Sequence, residues 1–155
     1  MKRWMPIAVL LILSLFACAK RTRPEVQEPV VPGSGSARLT VTIHGLKNDE
    51  GEVAVALFSS AESFKQRTNA VASGRLTPEG ETANWSIEGL DPGTYAIAVY
   101  HDLNGNGELD RPTVGPPTEP YGFSNDARGT FGPPKFDKAA FELGAGEQSI
   151  EIGLR

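Results

Sequence analysis

The stretch Thr94-Tyr95-Ala96-Ile97-Ala98-Val99-Tyr100-His101-Asp102-Leu103-Asn104-Gly105-Asn106-Gly107-Glu108-Leu109-Asp110 decides how the chain reads. Its first seven residues place Tyr95, Ile97 and Val99 on one face of an extended segment and Ala96, Ala98 and Tyr100 on the other, a period of two that belongs to a β-strand. The strand then runs into a turn rich in Asn, Gly and Asp. Outward from it the same period recurs. Leu39, Val41 and Ile43 alternate with Thr40, Thr42 and His44, Val53, Val55 and Leu57 with the small Ala54 and Ala56, and Trp85 and Ile87 with Asn84, Ser86 and Glu88. Ile150, Ile152 and Leu154 close the series, with shorter candidates over 71–76 and 139–143.

Lys47-Asn48-Asp49-Glu50-Gly51 and Gly89-Leu90-Asp91-Pro92-Gly93 have the chemistry of turns between such strands. The helical signal is brief: the Ser59 to Glu62 spacing of a capping box predicts about two turns over 60–66. The expectation is an all-β, antiparallel β-sandwich of immunoglobulin-like or transthyretin-like (prealbumin-like) type. It has about seven strands, one short helix and one long loop.

The 155 residues contain a single Cys and two His, so an intrachain disulfide and a four-ligand zinc site are excluded. That Cys ends a leader. Lys2 and Arg3 precede an apolar run from Ile7 to Phe16, and Leu15-Phe16-Ala17-Cys18 resembles the bacterial lipobox, in which cleavage before Cys leaves a thiol that takes a diacylglycerol anchor. Ordinary secretion after Ala17 is the alternative. Residues 1–17 are therefore expected to be a lipoprotein signal peptide, 18–36 a lipidated Cys18 with a Pro-containing and Gly-Ser linker, and 37–155 the β-sandwich domain. Ala19 is not an acidic retention signal, which favours the outer membrane, on its periplasmic or surface face. Residues 37–155 carry 10 Lys or Arg against 17 Asp or Glu, a net −7 that repels nucleic acid and is compatible with cation binding.

Asp102, Asn104, Asn106 and Asp110 stand at positions 1, 3, 5 and 9 of an EF-hand-like loop, with Gly107 at position 6 and the Glu108 carbonyl at position 7. A calcium-sized cation takes six to eight oxygens, and alternate residues of a tightly curled loop supply them. Position 12 is Thr113, and Pro112, Pro116 and Pro117 exclude a following helix, so this is a strand-joining loop. Ca2+ is the expected cofactor, held by Asp102, Asn104, Asn106, Glu108 and Asp110, with Glu119 or Asp126 able to complete the shell. A plain Asn-Gly turn is the competing reading.

Residues 111–137 hold six of the 12 Pro and show no periodicity, a length that compact domains reserve for functional or disordered loops. Tyr121, Phe123, Phe131 and Phe136 argue against disorder. Tyr121, Phe123, Arg128 and Phe131 could form a surface for an envelope protein or glycan; the favoured reading has the aromatics plugging the open end of the sandwich. No catalytic residue is assigned. The alternative function is a hydrolase acting on envelope or extracellular glycan or peptide through His101 and loop carboxylates, against which His101 reads better as an end-of-strand residue that orients a loop.

The two motifs His101 to Asp110 and Glu119-Pro120-Tyr121-Gly122-Phe123-Ser124-Asn125 with Ala127-Arg128-Gly129, together with Pro92-Gly93-Thr94-Tyr95, carry a resemblance. Over roughly 39–154 the chain resembles the uncharacterised bacterial secreted family catalogued as domain of unknown function 2141. The resemblance implies an exported protein, a β-sandwich and no established activity. The function expected from the whole is a non-enzymatic envelope lipoprotein with a calcium-binding β-sandwich, used as a binding or structural module.

Overall fold

The computed structural model describes residues 35–130 and 132–155. Cys18, the signal peptide, most of the linker and Phe131 lie outside the described residues. Eight strands form two sheets: β1 (Ala37–His44), β2 (Glu52–Phe58), β3 (Ala72–Leu76), β4 (Thr82–Leu90), β5 (Gly93–Asp102), β6 (Tyr121–Phe123), β7 (Phe141–Leu143) and β8 (Gly146–Gly153). One sheet has the order β4-β1-β8 and the other β3-β2-β5-β6, with β7 pairing β5 beside β6. The all-β sandwich expected from the sequence is present.

Its pairing departs from the expectation in one place. β8 runs parallel to β1 along its whole length, from Ala37 opposite Gly146 to His44 opposite Gly153. All other pairings are antiparallel. The period-two pattern of β8 indicates which residues face inward but not the direction of its neighbour.

The inward rows are those the alternation marks. Leu39, Val41 and Ile43 of β1, Trp85 and Ile87 of β4 and Ile152 of β8 meet Val53, Val55 and Leu57 of β2 and Tyr95, Ile97 and Val99 of β5 in one core. Removing such side chains from water is the main favourable contribution to folding, about 1.5–3 kcal/mol for each fully buried aliphatic residue.

The helix α1 (Ala61–Gln66) lies where expected, but its cap shifts by one residue. Ser60 is the N-cap, its Oγ accepting from the Ser63 amide at 3.2 Å, so the reciprocal contact of a Ser59–Glu62 box is not made. Arg67 ends the helix in the left-handed region at φ 57°. The segment 111–137 is less irregular than its sequence suggests. It contains β6, a 3-10 turn over Ser124–Asp126 and the start of α2 (Phe136–Ala139).

These pieces build a second core on the outer face of the β3-β2-β5-β6 sheet. Phe58, Phe64, Ala96, Phe123 and Ala139 are buried together, with Tyr121 and Phe136 packed against them. Phe64 stands edge-on to Phe58, Phe123 and Phe136 at centroid distances of 5.7, 5.9 and 5.9 Å. The strand β5 is apolar on both faces because each face covers a core.

Candidate functional site

The loop after β5 is held by a nested set of side-chain to backbone hydrogen bonds. Asp102 ends the strand fully buried. Its Oδ1 accepts from the Asn106 amide at 3.1 Å and its Oδ2 from the Gly107 amide at 2.7 Å. Asn104 Oδ1 accepts from the Asn106 amide at 3.0 Å, and Asn106 Oδ1 from the Glu108 amide at 2.8 Å. Such turns, closed by Asx side chains, curl the chain without any regular ladder. Gly105 and Gly107 occupy φ 69° and 84°, where a side chain would be strained.

Asp110 closes the ring. Its Oδ2 accepts from Asn104 Nδ2 at 2.7 Å and its Oδ1 from Asn106 Nδ2 at 2.9 Å. The structure thus brings Asp102, Asn104, Asn106 and Asp110 into one curled loop, with the Glu108 side chain exposed at its rim. Among the described residues no three His, Cys, Asp or Glu gather to hold a metal ion, so a cation here depends on amide and carbonyl oxygens.

Glu119 is the residue whose weight sequence reasoning missed. It is buried, and its carboxylate accepts from the Leu103 amide at 2.8 Å and from the Asp110 amide at 3.0 Å. One side chain therefore clasps the first and last turns of the loop, and its two oxygens serve the backbone first. Asp126 is engaged elsewhere, accepting from the Gly153 amide at 3.3 Å. An acidic residue in a Pro-flanked position sixteen residues after Leu103 gives no sequence signal of such a clasp, since the chain must fold back before the two meet.

Arg75 approaches from β3. Its Nη1 lies 3.1 Å from Glu52 and 3.4 Å from Asp102 Oδ2, which gives the buried Asp102 charge a partial counterion. Burial acts against the Arg75 charge, but the hydrogen bond to Glu52, the field of Tyr100 and the bond to Asp102 outweigh it and raise its pKa. Burial raises the pKa of Tyr100, whose hydroxyl donates to the Gly107 carbonyl at 2.8 Å.

His101 is fully buried, on the inner side of the sheet. Its Nδ1 accepts from the Lys47 amide at 3.4 Å and its Nε2 pairs with the Glu50 carbonyl at 2.7 Å, contacts that assign the proton to Nε2. The ring orients a loop, as its sequence position suggests, but the loop is the β1–β2 connection rather than the one that follows it.

The long segment is fixed by Ser124. Its buried Oγ accepts from the Ile97 amide at 2.9 Å and donates to the Ala139 carbonyl at 2.5 Å. Ile97 falls between the stretches of β5 that pair β6 and β7, so the hydroxyl supplies a partner where the ladder has a gap. Tyr121 and Phe123 pack in the second core, on the outer face of the sheet and not at the open end of the sandwich that the sequence suggests, because β6 pairs the edge of β5. They also line a groove of about 1290 Å³ over the sheet, together with Arg67, Arg111, Pro117 and Pro133. Arg128 is exposed and borders a separate, smaller hollow beside Asp126 and Arg155.

Comparison with known proteins gives one match. A family model described as "Uncharacterized protein conserved in bacteria (DUF2141)" covers residues 41–151, from the middle of β1 into the last strand, β8. No curated protein and no solved structure matches the chain.

Proposed function

Starting from a chain that belongs to the DUF2141 family of bacteria, we propose that the domain is a calcium-organised binding module of the bacterial envelope. It is exported by residues 1–17, anchored through lipid on Cys18, and held off the membrane by the linker. The observation that carries the reading is the loop Asp102–Asp110, in which backbone N–H groups of the loop itself turn side-chain oxygens at positions 1, 3 and 5 inward beside the Asp110 carboxylate. Each amide oxygen has two lone pairs, so accepting one N–H leaves a second for a cation.

Asp102, Asn104, Asn106 and Asp110 supply side-chain oxygens and Glu108 its carbonyl. With two carboxylates, and with Arg75 sharing Asp102, affinity falls in the roughly 0.1–1 mM range of extracellular sites. Titration calorimetry of the full chain in detergent checks this. Heat and thermal stabilisation are expected with calcium, and about tenfold weaker binding in Asp110→Ala. Silence up to millimolar calcium overturns the ion.

Two observations support binding rather than hydrolysis. Both nitrogens of His101 already have backbone partners, and the ring is sealed from solvent. Glu119, the carboxylate that clasps the loop's ends, is itself occupied by two amides. The partner is an envelope component, and the anionic domain does not suit nucleic acid. Fractionation of cells carrying Cys18→Ser tests the anchor: release from the membrane is expected, and unchanged association overturns it.

A further inference from the structure

The groove on the outer face of the β3-β2-β5-β6 sheet has an origin visible in the strand register. Two rows of side chains cross the sheet there. Arg75, Ala54, Tyr100 and Tyr121 are successive partners in one row, and Ser73, Ala56, Ala98 and Phe123 in the next. The third row, Phe58 and Ala96, is buried beneath the second core. Alanine at the middle of two adjacent rows leaves a trough, walled by Tyr100 and Tyr121 on one side and bordered by Arg111, Pro117 and Pro133.

The trough is electrically uneven. At the Tyr100 end Arg75 is paired with Glu52 and Asp102. At the Phe123 end Arg67 lies with its guanidinium 4.2 Å from the Phe64 ring centroid and 5.1 Å from that of Phe123, and Arg111 borders the same groove. Neither Arg67 nor Arg111 has a carboxylate partner among the described residues. The residue surface of Arg67 is open, but packing of its head among the rings, then repulsion from Arg111, lowers its pKa to about 10, so it stays charged at neutral pH. Two cations without a carboxylate within ion-pair distance line one groove, where Glu108 is the carboxylate not already paired, and in a domain of net −7 they form a local field that an anion relieves.

We propose that this groove binds an amphipathic organic anion, with a compact carboxylate or phosphate head between Arg67 and Arg111 and an apolar body along the alanine floor. A guanidinium makes strong, often bidentate charge-assisted hydrogen bonds to such groups, and the head of Arg67 is partly stripped of water by the rings around it. The floor of Ala54, Ala56 and Ala98 offers flat apolar contact, and the half-buried Tyr121 borders it. The proposal rests on the binding-module reading but not on calcium, since none of the loop's proposed side-chain ligands contributes to the head site.

Four probes separate its parts: hexyl phosphate, hexanoate, 1-hexanol and inorganic phosphate, titrated into the full chain while the methyl resonances of Ala54, Ala56 and Ala98 are followed. At least one of the two amphipathic anions is expected to bind and shift those methyls, and the stronger of them identifies the head. Hexanol and inorganic phosphate are each expected to bind at least about tenfold more weakly. Arg111→Ala sits in an exposed segment and tests the head without disturbing a core; about tenfold weaker binding is expected. Arg67→Ala repeats the test at the partner cation.

Absence of binding by both amphipathic anions, unchanged affinity in Arg111→Ala, or equal binding of inorganic phosphate overturns the proposal. Titrations run in saturating calcium and in chelator keep the two readings apart. Calcium heat without anion binding removes the groove site alone, whereas anion binding without calcium heat removes the ion alone.

Discussion

The two cores that share the strand β5 differ in how they are made. On its inner face Ile97 and Val99 join residues of β1, β2, β4 and β8 in a sandwich interior assembled from long strands. On its outer face Ala96 and Ala98 lie under four Phe rings contributed by the end of β2, a six-residue helix, a three-residue strand and a four-residue helix. The inner core follows from one repeated period. The outer one gathers short elements that have no stable structure alone, so it depends on the sheet already being formed.

Because the outer core forms with the sheet, it contributes to global stability, and Phe64 is its hub. Phe64→Ala is expected to cost about 3–5 kcal/mol in denaturant unfolding, as much as Leu57→Ala in the inner core at about 2–5 kcal/mol. A loss below about 1 kcal/mol would show the outer elements to be an independent appendage. Ser124→Ala is next, at about 1–3 kcal/mol, because it strands the buried Ile97 amide in the gap of the ladder.

Glu119→Gln separates the loop from both cores. The new amide group faces an N–H instead of accepting from it, so one of the two clasping bonds is lost. About 1 kcal/mol and faster hydrogen exchange at the Leu103 and Asp110 amides are expected, with the core amides unchanged. The smallest effect belongs to the sheet surface. Arg38 and Glu88 approach to 2.6 Å, but their side chains are 48% and 68% exposed, and Glu88→Ala is expected to change stability by less than about 1 kcal/mol. A larger loss there would mean that the strand register of β1 and β4 depends on that pair.

The legibility of the molecule follows the same division. The inward rows of β1, β2, β4 and β5 are readable because a half-buried strand must alternate, whatever its neighbours. The site loop is readable for a related reason: Asp, Asn and Gly close Asx turns with residues two to five positions on, which are fixed by the chain itself. The parallel pairing of β8, the strand β6 inside a Pro-rich segment and the shift of the helix cap from Ser59 to Ser60 were not readable. The two strands depend on which edge of a formed sheet they meet, and the cap on which serine holds extended backbone at the start of the helix. The sequence suggests Phe123 and Tyr121 as a plug for the open end of the sandwich, but the register sets them opposite Ala98 and Tyr100 on the outer face of the sheet, where they border the groove and pack in the second core.

What the sequence determined alone was the family, the all-β class and the curl of the loop from Asp102 to Asp110, because these rest on periods and spacings of at most a few residues. The tertiary structure decided that Glu119 clasps that loop, that His101 serves the β1–β2 connection, and that Arg67 and Arg111 line one groove with Ala54, Ala56 and Ala98. Those contacts join residues far apart in the chain, and their partners are set by sheet register, a property of pairs of strands that no single strand encodes.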